Sequence, residues 1–420
     1  MAEEFFPVPL KKIVVDSVPE FDLFIRQKDR YVLYRKAKIR FENQALNNLM
    51  DNRIESLYVS KKDLELYERY REEVRQEQEA VYGKQGYAGA YVDPVEVQRY
   101  HDILDNFHVV DHSMFKPGVE VGFMLYYHED NDVLPAEDFE NKPRGPWELT
   151  VSFSAAREIM IRNEDKLAYR EFVKIMLEQS KSGSAKQQAC ALREMSKIVV
   201  KDVLLDPRSG EGVKQVNDSV GSLVEFILDN DTSFYSLMKI QGHDYYTYVH
   251  SMNVCTFSVA LGTAMGLPKK PDLEWLGLGA MLHDVGKSMV DPNLINKPGR
   301  LTEEEFKMMK DHVMLGYTTL KESHDLPEKV LEPVIQHHEK LTGIGYPHGL
   351  KEPDIGVFGR ISSIVDIYDA LTTERSYKKA FSPFEALSFL SKTRDDYDKD
   401  ILNQFIVMLG KQIEKEAAAK

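Results

Sequence analysis

The chain has 420 residues, and its 54 basic and 68 acidic side chains give a formal net charge of −14. This length predicts two or three domains, each able to bury a core without a disulfide or a structural metal. The negative field repels phosphate, which argues against binding of a nucleic-acid polymer or an anionic membrane surface. A phosphate-bearing ligand would have to be captured by a local cluster of positive charge.

The cysteine and hydropathy patterns predict a soluble cytoplasmic protein. Cys190 and Cys255 form no CxxC or zinc-type spacing, so we expect two buried free thiols in a reducing compartment. No segment approaches the roughly eighteen apolar residues that span a bilayer, and the start MAEEFFPVPLKK lacks the features of a signal peptide. We therefore expect no membrane span.

The N-terminal part has mixed periodicity. DLFIRQKDRYVLYR predicts two short strands around a turn at Gln27–Asp29, and a short helix follows, so we expect a small α/β module over residues 1–80. Residues 81–183 are expected to form a second mixed region with a connecting helix and a regulatory role. Within it, alternating apolar residues predict a strand over 119–125, and helical spacing predicts a helix over 155–179.

From Ala185 onward the sequence predicts helix after helix, with breaks at DPRSGEG, KKPD, NKPGR and TGIGYPHG. The segments between these breaks have the length of bundle helices. The predicted fold class is α+β overall, with one or more small N-terminal α/β modules followed by an all-α bundle over residues 184–420.

The helical half contains an ordered set of side chains of the metal-ligand type. Neutral imidazole and carboxylate together suit Fe, Mn, Zn or Ni better than Ca²⁺ or a structural thiolate site. Each residue alone would more often be a surface group or a hydrogen-bonded core group, but the complete set reverses that preference. Its members are His250, His283, Asp284, His312, His337, His338 and Asp366.

Four motifs in this half carry a family resemblance: YYTYVHSMNV, HDVGK, HHEKLTGIGYP and VDIYDALTTERSY. HDVGK alone would be a weak signal, but HHE followed closely by GIGYP and then by the DIYDALT segment is specific. From about residue 185 to its end the chain resembles the HD-GYP family, a subgroup of the HD superfamily of metal-dependent phosphohydrolases. The resemblance implies a helical phosphodiesterase domain.

The implied activity is the opening of the bacterial second messenger cyclic di-GMP to pGpG, with GMP as a slower end product. The implied cofactor is a pair of divalent cations, Fe or Mn, which can acidify a water molecule and hold phosphate oxygens. The family pattern makes Asp284 the bridging ligand and a catalytic residue. It assigns the remaining ligands as His250, His283 and Asp366 for one metal and His312, His337 and His338 for the other.

The resemblance also implies substrate contacts. Lys287, one turn after His283, is expected to act in catalysis by stabilising charge on the phosphate. Tyr346 offers a ring and a hydroxyl to guanine or phosphate. Arg375 and Lys378 match family positions that bind the second phosphate, although without the motif they would be assigned to an ordinary basic helix face.

Three further residues bear on the metal site. Glu339 is expected to orient a ligand imidazole rather than to bind metal, and Asp369 is the main rival of Asp366 as a ligand. Tyr246 lies one helical turn before His250, where a carboxylate could hold a third cation. Because a phenol is a poor ligand at neutral pH, we expect two metals, with Tyr246 packing against the cluster or contacting the ligand.

The chain departs from the family pattern at two positions. Thr342 stands where the family commonly has Asp, and Ser376 where it commonly has Pro. Neither residue is an expected metal ligand, so the departures bear on the ordering of the loop and on the geometry of phosphate contact. We expect them to affect turnover and ligand preference rather than the class of reaction.

Alternative functions remain open. The chain could be a catalytically weak cyclic di-GMP receptor that signals through partners, a hydrolase of a related cyclic dinucleotide such as cyclic GMP-AMP, or a more general HD phosphohydrolase. The complete ligand set favours an enzyme, and the GYP segment argues against the general hydrolase. Cyclic di-GMP is therefore the expected partner, and a homodimer through helical segments is compatible with the sequence.

Overall fold

The structure is a computed structural model, and the residues that it describes fall into two compact units, one up to residue 70 and the other from residue 102 onward. The predicted three-part division at residues 80 and 183 stays a prediction. The description covers residues 5–418 except 10–12, 14–16, 28–29, 42–44, 46–47, 50–51, 53, 55, 71–101, 105, 130–131, 137–144, 154–156, 230–232, 239–246, 268, 296, 298–300 and 374–379.

The first unit contains a four-stranded antiparallel sheet in the order β1-β4-β2-β3. Its strands are β1 (Phe5–Pro9), β2 (Leu23–Gln27), β3 (Arg30–Arg35) and β4 (Ser56–Ser60). Strands β2 and β3 pair as the predicted hairpin. Buried Phe21, Phe41 and Leu57 contribute to the core of this unit.

The second unit begins with another antiparallel sheet, in the order β5-β10-β7-β8, and a separate β6-β9 pair. The predicted strand over 119–125 is wrong for most of its length, because only Glu120–Val121 pairs. Val121, Phe123 and Leu125 are nevertheless buried, so their alternation reflects burial of one face rather than strand pairing. The strands are β5 (Phe107–Val110), β6 (Glu120–Val121), β7 (Tyr126–Glu129), β8 (Asp132–Pro135), β9 (Trp147–Glu148) and β10 (Glu158–Arg162).

The predicted helix over 155–179 is wrong at its N-terminal end. Strand β10 occupies Glu158–Arg162, and the helix begins at Lys166. Ile159, Met160 and Ile161 are all buried, because β10 is a central strand between β5 and β7. A strand that is buried on both faces forms a continuous apolar run, which periodicity alone does not distinguish from a buried helix.

The rest of the second unit is helical, apart from short connections, so the α+β prediction is confirmed. Within the described residues, none of the helices combines the length and apolar character needed to cross a membrane. Cys190 and Cys255 are buried free thiols, as predicted. The helices are α1 (Lys166–Ser180), α2 (Ala185–Leu205), α3 (Gly210–Asp229), α4 (Ser233–Met238), α5 (Thr247–Ala264), α6 (Lys270–Leu282), α7 (Pro292–Ile295), α8 (Glu303–Ser323), α9 (Glu328–Gln336), α10 (Val357–Thr372), α11 (Pro383–Lys392) and α12 (Lys399–Ala418).

A close approach of two backbones shapes the centre of the helical unit. The 3₁₀ helix Val285–Met289 follows α6 and lies directly against α8. A Cβ atom at Gly286 would lie 1.8 Å from the carbonyl oxygen of His312, so only glycine fits there. This contact brings the end of α6 and the middle of α8 together.

Candidate metal centre

Five elements of the helical unit place the seven predicted ligands in one cluster. All of these residues are buried except His338, which is partly buried. The cluster therefore concentrates ionisable groups in the interior, where such groups require partners. His250 lies on α5, His283 and Asp284 follow α6, His312 lies on α8, His337 and His338 follow α9, and Asp366 lies on α10.

Asp284 lies at the middle of the cluster. Its Oδ2 atom is 3.4 Å from His283 Nε2 and 3.6 Å from His250 Nε2. Its Oδ1 atom is 3.3 Å from His312 Nε2 and 3.9 Å from His337 Nε2. The two oxygens of one carboxylate thus face two different pairs of imidazoles, which is the arrangement of a bridging ligand.

The donor atoms fall into two groups of three. One group consists of His250, His283 and Asp284, and the other of His312, His337 and His338, with the donors of each group within 4.8 Å of one another. Asp366 reaches both groups, because its Oδ1 is 3.0 Å from His250 Nε2 and its Oδ2 is 3.7 Å from His338 Nδ1. The geometry offers two adjacent positions for cations.

Backbone carbonyls orient three of the imidazoles. Because a carbonyl oxygen only accepts hydrogen bonds, the Nδ1 atom facing it carries the proton, and Nε2 presents a lone pair to the centre. The pairs are His283 with the oxygen of Ala280 at 2.8 Å, His312 with that of Met309 at 2.6 Å, and His337 with that of Pro333 at 2.8 Å.

Two unsatisfied atoms test whether the cluster fits a metal. His283 Nε2 and Asp284 Oδ1 are buried and have no hydrogen-bond partner among the described residues. His312 Nε2 and His337 Nε2, which both present lone pairs, lie 3.4 Å apart. Lone pairs and carboxylate oxygens facing one another in a buried site are unfavourable unless a cation lies between them. The residues therefore fit divalent metal ions.

The pKa values of two imidazoles in the cluster shift in opposite directions. Burial lowers the pKa of His250, but hydrogen bonds to Asp366 and Asp369 outweigh it and raise the value to about 9. Burial and the neighbouring His283 lower the pKa of His337 to about 3. His337 is therefore neutral at physiological pH, as a metal ligand must be.

Lys287 lies beside the bridging carboxylate. Its Nζ atom is 2.5 Å from Asp284 Oδ2. Burial raises the pKa of Asp284, but Lys287 and His283 lower it well below its usual range, so the carboxylate stays ionised. Lys287 thus lies within reach of any anion that contacts the centre.

Asp369, the predicted rival ligand, lies behind His250. Its Oδ2 accepts the Nδ1 proton of His250 at 2.7 Å, and its Oδ1 accepts a hydrogen bond from Asn253 Nδ2 at 2.9 Å. Both oxygens are therefore engaged away from the donor cluster. Asp369 orients the imidazole, and Asp366 faces the centre.

Glu339 has a different role from the predicted one of orienting an imidazole. Its two carboxylate oxygens accept hydrogen bonds from the backbone amides of His348 and Leu350, at 2.7 and 2.9 Å. Gly345 packs on it so closely that a Cβ there would lie 2.5 Å from the Cα of Glu339. Glu339 therefore anchors the GIGYP loop.

The unusual Thr342 also has a partner in the structure. Its hydroxyl donates to Asp396 Oδ1 at 2.6 Å. The loop turns at Gly343, where φ is +81°, a conformation that favours glycine. This loop is consequently held at both ends, by Thr342 and by Glu339.

A cavity of about 400 Å³ opens beside the cluster, and His250, His338 and Asp366 lie in its wall. The predicted substrate contacts Lys287 and Tyr346 also line it. The ring of Tyr346 lies 4.6 Å from that of His338. The other predicted residues, Tyr246, Arg375 and Lys378, and the departure at Ser376, lie outside the described residues.

Sequence reasoning missed three residues of this cavity: Phe306, Lys310 and Lys340. Lys310 Nζ lies 4.6 Å from the ring centre of Phe306 and 5.1 Å from that of Tyr346. Phe306 and Lys310 are one helical turn apart on α8, the helix that carries His312. Their spacing of four residues could have indicated that the two side chains lie together, because residues i and i+4 are on the same face of a helix.

Comparisons with known proteins find relatives of the helical part of the chain. Residues 247–401 match the model of the HD domain family. A solved structure, an HDG"Y"P protein from Bdellovibrio bacteriovorus, has the same fold, with a TM-score of 0.58 and 20% identity over 72% of this chain and 99% of its own. Residues 247–401 are therefore similar to HD domains, and these findings are consistent with the HD-GYP family that the motifs predict.

Two curated relatives are named for cyclic dinucleotides. A cyclic di-GMP phosphodiesterase of Pseudomonas aeruginosa is 31% identical over 226 residues, which is 53% of this chain and 54% of the relative. A 3′3′-cGAMP-specific phosphodiesterase of Vibrio cholerae is 36% identical over 133 residues, 31% of this chain and 25% of the relative. The matches thus span about half or less of these relatives.

Proposed function

We propose that this chain is a metal-dependent phosphodiesterase that opens cyclic di-GMP to pGpG, with GMP as a slower product. The observation that carries the proposal is Asp284, whose two oxygens face two groups of imidazoles beside a cavity that includes lysines in its lining. The Pseudomonas relative supports the choice of substrate. A bridged pair of cations beside a cationic cavity suits hydrolysis of a phosphodiester.

The proposed cofactor is two divalent cations, Fe or Mn. His250, His283 and Asp366 would hold one, His312, His337 and His338 the other, and Asp284 both. When bound, the cations would neutralise phosphate charge and lower the pKa of a water molecule. The protein's own contribution is to fix these side chains, three of them through carbonyl contacts at Nδ1.

The lysines of the cavity would bind the phosphates. Lys287 is placed to stabilise charge next to Asp284, and Lys310 and Lys340 supply positive charge elsewhere in the cavity lining. This local charge would compensate for the repulsion expected from a net charge of −14. Contacts of Arg375 and Lys378 with the second phosphate remain part of the proposal.

The aromatic rings of Phe306 and Tyr346 in the cavity would contact the bases. Phe306 is 46% exposed although it is a large apolar residue. The ammonium group of Lys310 lies over its ring and over the ring of Tyr346. Aromatic faces stack on nucleobases without requiring one particular base. The same platform would therefore accept adenine, and the Vibrio relative favours cyclic GMP-AMP as the second candidate substrate.

The test combines metal analysis with product analysis. The anaerobically purified chain would be assayed for Fe and Mn and incubated with cyclic di-GMP, cyclic GMP-AMP and pGpG, with chromatography of the products. We expect cleavage of cyclic di-GMP to pGpG and a slower appearance of GMP. A metal-loaded chain that binds cyclic di-GMP but cleaves no cyclic dinucleotide would establish the receptor alternative instead.

Three broader assignments belong to the same proposal. We propose a cytoplasmic location, regulation by the region before residue 184, and a homodimer through helical segments. The first follows from the composition and from the reduced cysteines. Gel filtration with light scattering would test the dimer, and the effect of deleting residues 1–70 on turnover would test the regulation.

A further inference from the structure

A buried arginine outside the matched HD segment reaches toward the metal centre. Arg193 lies on α2, before residue 247, and is only 6% exposed. Its Nη1 atom donates to Asn253 Oδ1 at 3.1 Å. Because Asn253 in turn contacts Asp369, the guanidinium stands at the end of a continuous chain of hydrogen bonds that leads to His250.

The direction of every hydrogen bond in this chain follows from its two ends. Arginine can only donate, so the oxygen of the Asn253 amide must face Arg193. The amide nitrogen must then face Asp369, whose ionised carboxylate only accepts. Asp369 can therefore accept the Nδ1 proton of His250, and a cation bound at the centre would take the lone pair of Nε2.

Removal of the arginine would release this constraint. Asn253 would then lose the partner that holds its oxygen, and its remaining bond to Asp369 would be held less firmly. Asp369 would in turn be less firmly fixed behind His250. An imidazole with an unfixed partner is a poorer metal ligand, because groups that orient a ligand typically contribute 10-fold to 100-fold to metal affinity.

We infer that Arg193 is a positioning residue for His250, acting through Asn253 and Asp369, and that helix α2 thereby sets the metal affinity of the HD domain. The inference rests on the proposed metal centre. Under this inference, helix α2, which lies outside residues 247–401, acts on the site through a defined chain of hydrogen bonds.

The test measures Mn(II) binding to the full chain, with free Mn(II) quantified by electron paramagnetic resonance. We expect Arg193→Met to weaken Mn(II) binding about 10-fold or more. Arg193→Lys, which keeps a charged donor, should restore affinity to within about threefold of the wild type. The matched control is Arg170→Met, since Arg170 on α1 pairs with Asp202 and Gln215, at 3.0 and 2.5 Å.

A second pair of variants tests the route. Asn253→Ala should weaken Mn(II) binding, and adding Arg193→Met to it should cause little further loss, because both changes break one chain. Circular dichroism of each metal-free variant would verify folding. If Arg193→Met does not fold, Arg193→Lys and Asn253→Ala still decide: unchanged affinity in Asn253→Ala would overturn the inference.

Other outcomes separate this inference from the proposed function. Wild-type affinity in folded Arg193→Met, equal losses in Arg170→Met, or additive losses in the double variant would overturn the role of Arg193 alone. A wild-type chain that binds no Mn(II) or Fe(II) would overturn the metal centre and this inference together. Loss of turnover with intact Mn(II) binding would bear only on the proposed function.

Discussion

At the scale of single residues, Asp284 should matter more than any other ligand, because its two oxygens lie within 4 Å of four imidazoles, whereas those of Asp366 lie within 4 Å of three. We expect Asp284→Asn to reduce metal content and to lower turnover by more than about 100-fold, beyond the typical effect of a group that only orients a ligand. Lys287→Ala should keep its metal and lose about 100-fold in kcat. Metal content and kcat that are the same in both variants would contradict this division of roles.

Lys310 allows a test of the substrate cavity. It is partly buried between two rings, whereas Lys307 on the same helix is exposed. A hydrogen bond to a charged group is worth about 1.5–3 kcal/mol, so Lys310→Ala should raise the KM for cyclic di-GMP about tenfold or more with little loss of metal. Lys307→Ala is the matched control. Equal KM values in the two variants would remove Lys310 from the substrate site.

The sequence predicted the residues around the metal centre more completely than those of the cavity. His and Asp residues at family spacing are rare enough to be informative, and all seven lie together. Phe306 and Lys310 stand in EEEFKMMK, where their charged surroundings suggest an ordinary surface helix. The sequence also gave no sign of a role for Arg193, because an arginine in a helix is usually exposed and the residues that Arg193 contacts are distant in sequence.

At the scale of elements, the contact between the 3₁₀ helix and α8 is the most sensitive to change. Gly286→Ala would place a methyl group against the carbonyl of His312, and overpacking of this kind costs about 1–3 kcal/mol. We expect a lower melting temperature and weaker metal binding, since His312 would be displaced from Asp284. Denaturant unfolding and metal titration would measure both effects.

The control for this prediction is Gly410→Ala. Gly410 lies in α12, and among the described residues no atom outside its chain neighbours and its own helix backbone lies within 4 Å of an added Cβ. Alanine should therefore stabilise the helix by about 0.5–1 kcal/mol. Unaltered metal binding in both variants would show that the tight contact does not position His312.

Helix α2 also carries a partly buried lysine with consequences for pH dependence. Burial, together with Lys166, lowers the pKa of Lys201 from 10.5 to about 8. Between these values the unfolded chain binds more protons than the folded one, so this residue makes stability rise with pH across that window. Lys201→Met should remove this rise, as measured by denaturant unfolding at the two ends of the window.

The exposed Lys186 on the same helix provides the control. Lys186→Met removes the same formal charge without changing a buried group, so the rise of stability with pH should persist. A rise of equal size in Lys201→Met and in the wild type would contradict the assignment to Lys201.

The prediction of secondary structure failed at β10, a strand that is buried on both faces. The breaks at KKPD and TGIGYPHG delimited helices around the metal centre, although α5 is buried along nearly its whole length. EIMIR in β10 has no contrast between a buried and an exposed face, since sheet neighbours flank it and both its faces are covered. Its misassignment to a helix follows from the absence of a polar face rather than from weak propensity.

At the scale of the whole molecule, the metal centre should contribute to stability. Its ligands come from five separate elements, so bound cations would link them in the folded state only. At a free metal concentration of about 100 times Kd, binding raises the free energy of unfolding by about 2.7 kcal/mol, which corresponds to a rise of roughly 5–10 °C in melting temperature. Treatment with a chelator should lower the melting temperature by this amount, and added Mn(II) should restore it. Equal melting curves with and without metal would contradict this.

The hydrogen bond between His250 and Asp369 joins residues 119 positions apart in the chain. On a ribosome that adds about 5–20 residues per second, the imidazole is made roughly 6 to 24 s before its carboxylate partner. During this interval the nascent chain has no assembled pocket that could choose among metals. The metal would therefore be selected only after the domain has folded, by the ions available to the folded protein rather than during synthesis.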